Sequence, residues 1–260
     1  MPTFRYVAQF CFSLVIAAVP LAAQNSSTIP RTQIPNAKIF GELPGNPRPI
    51  NNFPTAAAIS PDGHFAVFLH SGYGAYTSQQ EQSLTVLNLQ TDSIRDFPDD
   101  RLGYHAKQTY FLGLAFSIDG KHLYASVASL TDPLGKGKGS TGNGIAVYSF
   151  HNGEIMPERF LQLAPRTKLP GGKVRREEFK DVTYPAGLSL GISDGVERIL
   201  VACNNSDEAL LLNTSDGQIV RRFDLSTFKR IPASLPYTTV MTSDGKRGFV
   251  SLWNAVRRRT

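Results

Sequence analysis

The chain has 260 residues, of which 41% are hydrophobic, 10% aromatic and 18% charged, with 22 Gly, 17 Pro and a formal net charge of +6. That composition excludes a charged disordered tail and a coiled coil and leaves room for one large or two small domains. The basic residues are scattered, Lys173–Arg176 (KVRR) and Arg257–Arg259 (RRR) being the densest runs, and no basic stripe interleaved with aromatics marks a nucleic-acid binder.

In chain order, the first element is MPTFRYVAQFCFSLVIAAVPLAA. Arg5 precedes a short apolar run and small residues, the pattern of a secretory signal peptide, with cleavage expected after Ala23. The run is short for a membrane span, so residues 1–23 are expected to be removed and no membrane anchor to remain, the alternative being an uncleaved membrane anchor. Cys11 lies inside that run, which argues against a lipid anchor, and Cys203 is then the only thiol, with no partner for a disulfide. Residues 24–50 read as a partly extended N-terminal segment. The expected location is periplasmic or secreted.

From residue 51 onward the chain repeats itself. AAAISPDGHFAVFLHSG (56–72), LAFSIDGKHLYASVAS (114–129), LSLGISDGVERILVACNN (188–205) and TVMTSDGKRGFVSLWNA (239–255) align on Asp62-Gly63, Asp119-Gly120, Asp194-Gly195 and Asp244-Gly245. Asp-Gly between two runs rich in β-branched and aromatic residues signals a hairpin turn. Second hairpins follow the first three, with turns expected near Thr91-Asp92, at Asn152-Gly153 and at Asp216-Gly217. Four antiparallel strands per unit, repeated, predict an all-β β-propeller, with blades at about 51–98, 108–163 and 184–225 and a partial one at 236–260. No window sustains a 3.6-residue apolar period, so little helix is expected.

These units, together with SPDGHFAVFLHSGYG and NNSDEALLLNTSDGQIV, resemble YVTN-type β-propeller repeat proteins of exported bacterial proteins over roughly residues 50–255. The YVTN tetrapeptide itself is replaced by LVAC at 200–203 and FVSL at 249–252. The resemblance implies about seven blades, standing alone or preceding a C-terminal phosphoesterase domain, which is not expected among these 260 residues. The aligned Asp residues are spaced by 57, 75 and 50, which gives about three and a half blades. The expectation is therefore an incomplete ring belonging to a longer protein, with a four-blade ring as the alternative. AKIFGEL (37–43) is able to supply one outer strand, and an open blade edge invites self-association.

The glycine-rich stretch Gly135–Gly144 (GKGKGSTGNG) fails as a phosphate loop, because Gly139 rather than Ser or Thr follows Lys138 and no helix follows. It is expected to be a flexible, solvated connection within the second blade. Loops inside the blades and connections between them should share one face, where function on such scaffolds usually sits. The candidates there are His70, Tyr73, Arg101, Tyr104, His105, Arg175, Tyr184 and Asn204. His70 and His105 read as solvated or hydrogen-bonded loop residues rather than metal ligands, and Tyr73 and Tyr104 as blade-to-blade packing. Asp99-Asp100 and Glu177-Glu178 are sequence neighbours that point apart, and no catalytic or metal motif is present. Cys203, ending an apolar run, reads as a buried small hydrophobe.

The sequence thus predicts a binding or scaffold module whose partner is a protein, a cell-wall component or a small ligand, without nucleic acid, cofactor or metal. The alternative is a propeller hydrolase of the lactonase type, or a quinoprotein-type oxidoreductase, acting at the channel mouth. The inner strands TAAAIS, LGLAFS, GLSLGIS and TTVMTS are apolar and small and offer no carboxylate to a metal.

Overall fold

The computed structural model describes residues 50–51, 53–72, 82–102, 106–180, 182–242 and 244–254. The signal peptide, AKIFGEL, Tyr73, Tyr104 and His105 lie outside the described residues.

Each Asp-Gly turn lets the chain reverse and pair with itself, so consecutive strands become neighbours. Blade one is β1 (Pro54–Ile59), β2 (Phe65–His70), β3 (Ser83–Asn88) and β4 (Ile94–Pro98). Blade two is β5 (Thr109–Phe116), β6 (His122–Ala128), β7 (Gly144–His151) and β8 (Glu154–Gln162). A short strand β9 (Val174–Arg175) precedes blade three, which is β10 (Pro185–Ser193), β11 (Val196–Cys203), β12 (Glu208–Asn213) and β13 (Ile219–Asp224). After β14 (Arg230–Ile231), strands β15 (Pro236–Met241) and β16 (Gly248–Leu252) form a two-stranded sheet. Every blade is an antiparallel meander, and β1, β5, β10 and β15 each adjoin the next, so the first strand of each blade is the inner one. This is a β-propeller arrangement, and the only helical pieces among the described residues are 3-10 turns.

The apolar run GIAVYSF of β7 shows why both faces of a blade are hydrophobic. Ala146, Tyr148 and Phe150 enter one core layer with Val67, Leu69, Leu84 and Val86 of blade one. Ile145 and Val147, one residue out of phase, enter a second layer with Ile199, Val201, Leu210 and Leu212 of blade three. Period-two alternation therefore feeds two cores from one strand. A fully buried Val, Leu or Ile here contributes about 1.5–3 kcal/mol. Phe150 also meets Phe65 and Phe116 edge-on, at centroid distances of 5.5 and 4.9 Å.

Three of the four aligned turns share one hydrogen-bond pattern. In blade one the Ser60 hydroxyl donates to Asp62 (2.5 Å), Asp62 accepts from the His64 N–H, and Ser60 accepts from the Phe65 N–H. Ser117 with Asp119 and Thr242 with Asp244 repeat it. The hydroxyl bond first, then the backbone N–H, lowers the pKa of all three carboxyls. Asp194-Gly195 differs from the expected equivalence. Ser193 adjoins Asp194 directly, Ser193 pairs with Val196, and both turn residues have positive φ (53° and 73°). With two residues between the paired ends instead of four, the hydroxyl-capped loop becomes a two-residue hairpin of the I′ kind.

The inner strands also share a register shift near their starts, between Pro54 and Ala56, Tyr110 and Leu114, Pro185 and Leu188, and Pro236 and Thr239. Such a shift bends the strand and raises its twist. The β15–β16 sheet packs on blade three, where Thr239 Oγ1 donates to the Leu200 carbonyl. Its other face exposes Val240, Phe249 and Trp253.

Candidate functional site

In a four-stranded meander the link between strands two and three lies at the same end as the connection to the next blade. At each junction one polar side chain, set immediately before the third strand, joins the two. Gln82 precedes β3; its amide donates to the Leu102 and Gln108 carbonyls (3.1 Å each), and its oxygen accepts from the Tyr110 N–H (2.6 Å). Asn143 precedes β7 and donates to the Ser129 and Thr183 carbonyls (3.0 Å each) while accepting from the Ser129 N–H. Asp207 precedes β12 and accepts from the N–H groups of Ala233 (2.7 Å), Ser234 and Leu235 (3.0 Å each). All three side chains are buried. They satisfy backbone groups that an irregular connection would otherwise leave without partners.

These three residues escaped the sequence reading. The available signal was positional: Gln, Asn and Asp each stand one residue before an apolar third strand. Because the residue types differ, no motif search finds them.

The predicted candidates fall into different environments. His70 ends β2 and is fully buried, not a solvated loop residue. Its strand partner is Ser83, and on the same sheet Ser83 and Thr85 donate to Asp96 (2.7 Å each). Arg101 follows β4 and grips buried Asp99 through its Nε and guanidinium at 2.7–3.1 Å, and it also donates to the Arg159 carbonyl. Asn204 is buried and donates to the Pro236 carbonyl (3.1 Å). Tyr184 packs edge-on against Phe111 at 5.4 Å, and burial raises its hydroxyl pKa. Arg175 sits on β9 and donates to the Lys180 carbonyl. Arg101, Tyr184 and Asn204 thus serve the joints between blades; the structure brings Asn204 to Tyr184, whose carbonyl accepts from the Asn204 N–H (2.8 Å), while Arg101 and Arg175 have other partners.

The strongest electrostatic feature is the Asp99 network between blades one and two. Tyr148 donates to Asp99 (2.6 Å), and Tyr110 and Tyr148 hydroxyls lie 2.5 Å apart. Burial alone would raise the Asp99 pKa, but hydrogen bonds from Arg101 and Tyr148 and the Arg101 charge outweigh it, leaving it lowered. Burial, first of all, pushes both tyrosine hydroxyls upward.

The stretch Gly135–Gly144 is a folded loop rather than a flexible one. The Asp132 carboxylate accepts from the Lys136 and Gly137 N–H groups (2.8 and 2.9 Å), the Asn143 N–H donates to the Pro133 carbonyl, and Gln162 donates to the Leu134 carbonyl. Asp132, not a candidate in the sequence, organises the loop. Lys136 and Lys138 remain exposed.

The long connections after blades two and three are also joined. Val174 N–H donates to the Lys229 carbonyl and Arg176 N–H to the Ile231 carbonyl, making β9 and β14 a parallel pair. Among the described residues no three His, Cys, Asp or Glu side chains gather as a metal-binding group, and no helix is long and apolar enough to cross a membrane.

No family model and no curated protein match the sequence. Solved structures of similar shape include the periplasmic gluconolactonase PpgL of Pseudomonas aeruginosa, at 14% identity and a TM-score of 0.49, covering 76% of this chain and 50% of that one. The gluconolactonase XC5397 of Xanthomonas campestris has 15% identity and a TM-score of 0.47, covering 82% and 58%. The WD40 repeats of RRP9 have 11% identity and a TM-score of 0.46, covering 74% and 43%. The chain therefore spans 43% to 58% of the length of these three structures.

Proposed function

We propose that this chain is a binding and scaffold module of an exported β-propeller of the YVTN repeat type, and that the loop end is its recognition surface. The observation that carries the reading is the repeated latch of Gln82, Asn143 and Asp207, which holds every described blade connection by buried hydrogen bonds. A loop end fixed in this way presents its exposed residues in one geometry, which lowers the entropic cost of engaging a partner. The signal-like N-terminus and the YVTN-like repeats support the exported setting. Arg175 and the residues around Tyr73, Tyr104 and His105 belong to the proposed recognition surface, together with exposed Lys136 and Lys138.

The test places photo-crosslinking side chains at Lys136 and Lys138 on the loop end and at Asn152 on the opposite end, in the producing cell. The expected result is a discrete crosslinked product from the loop end only. Metal-dependent turnover of aldonolactones by the purified protein overturns the reading in favour of a hydrolase.

A further inference from the structure

We infer that the β9–β14 pair is a binding surface for an acidic oligosaccharide. The inference deepens the proposed binding role and rests on it.

Residues 163–184 and 225–235 carry eight Lys and Arg against three Asp and Glu, a balance of +5 in a chain whose total is +6. The two segments are about fifty residues apart in sequence, so the charge looks scattered when read along the chain. The backbone pairing of β9 with β14 brings them side by side.

The pairing also sorts the side chains. Arg230 stands opposite Val174, and Arg176 lies two residues beyond Val174 on the same side. Ile231 is buried and anchors the pair to the body, while Arg176, Lys229, Arg230 and Val174 are exposed. Lys173 is taken up by Asp224, and Lys180 lies 3.7 Å from Glu177. Among the described residues, Lys168, Arg176, Lys229 and Arg230 have no carboxylate partner.

The apolar residues narrow the ligand class. Val174 is 64% exposed and Phe228 38% exposed, set among the cations. Guanidinium forks suit carboxylate, sulfate or phosphate groups. An aliphatic side chain and an aromatic edge suit the C–H face of a sugar ring, whereas sequential base stacking needs a row of aromatic platforms. A chain of acidic sugars presents both features at once.

The experiment uses the full chain and fluorescein-labelled oligogalacturonate, with maltohexaose, a thymidine 20-mer and phosphatidylglycerol vesicles as comparison ligands. Oligogalacturonate is expected to bind at low salt, with affinity falling as salt rises along a slope set by about two to three released ions. The Arg176→Glu/Arg230→Glu variant should lose about tenfold or more in affinity. Glu177→Gln/Glu178→Gln should bind tighter than wild type, a gain that misfolding cannot mimic. Lys121→Ala/Lys246→Ala, at exposed turns on the opposite end of the blades, should bind as wild type does. Absence of oligogalacturonate binding, equal binding of maltohexaose, unchanged binding in the arginine variant, or tighter binding to the 20-mer or the vesicles each overturns the inference. Loop-end crosslinking together with a failure here removes the oligosaccharide and leaves the scaffold role standing. Lactone turnover removes the scaffold role whatever happens here.

Discussion

Tyr148 of the second blade donates its hydroxyl hydrogen to Asp99 at the end of the first, over 2.6 Å. That contact, with the Arg101 clamp on the same carboxylate, makes the junction of blades one and two a buried ionic joint. Removing one member of such a joint strands the other, so the cost exceeds the net worth of the pair.

Asp99→Asn should therefore destabilise the protein by about 3–5 kcal/mol, and Tyr148→Phe by about 1–3 kcal/mol, measured by urea unfolding at neutral pH. The pH dependence follows from the lowered Asp99 pKa. A carboxyl held below its unfolded value of about 3.9 contributes stability that is fully present above that value. The contribution is lost as pH falls through the lower folded value. The wild-type advantage over Asp99→Asn should accordingly shrink on acidification below pH ~4, and a difference that stays constant contradicts the joint.

Asp207 accepts three backbone N–H groups of the segment leading into β15. Asp207→Ala leaves all three without their acceptor, at a cost of about 2–4 kcal/mol. Hydrogen exchange should show the loss first at Ala233, Ser234 and Leu235 and in the β15–β16 sheet, with blade one unchanged. Uniform loss across all blades would show that the latch is not local.

Gly113 lies on the inner strand β5, where an added Cβ would meet the Ala186 carbonyl oxygen at 2.4 Å. Gly187, on the next inner strand, would meet Thr238 Cα at 2.6 Å. Backbone lines both sites, so neither neighbour yields easily. Gly113→Ala should destabilise by about 1–3 kcal/mol, and its calorimetric midpoint reports this directly; an unchanged midpoint would mean that the inner strands have room to separate.

Cys203 is fully buried, and burial, then the Glu208 carboxylate, pushes its thiol pKa well up. Glu208 itself is clamped by Arg222 at 3.0–3.1 Å. In a Cys11→Ser chain, Cys203 should stay unmodified by a thiol-specific disulfide reagent in the native state and react fully in denaturant. Rapid native labelling would place the end of β11 at the surface.

Sequence alone determined the blade strands, their hairpin order and the repeat, though not the short β9 and β14, because alternation and Asp-Gly turns act over a few residues. It also determined that Cys203 is buried, since the apolar run RILVAC leaves no other face to occupy. A hairpin turn lies at Asp194-Gly195 as the dipeptide signals, but its loop is two residues shorter than the other three, which the dipeptide alone does not show. Only the tertiary structure decided which polar residues matter. Gln82, Asn143 and Asp207 share a place before the third strand but no residue type, and each acts on backbone groups 20 to 40 residues away. Arg101 and Asn204, read as candidate ligand contacts, prove to be committed to neighbouring blades. The basic surface is likewise invisible along the chain, since its two halves meet only through the β9–β14 pair. Local chemistry fixes local geometry; partners brought together by blade stacking depend on distances that no short window of sequence contains.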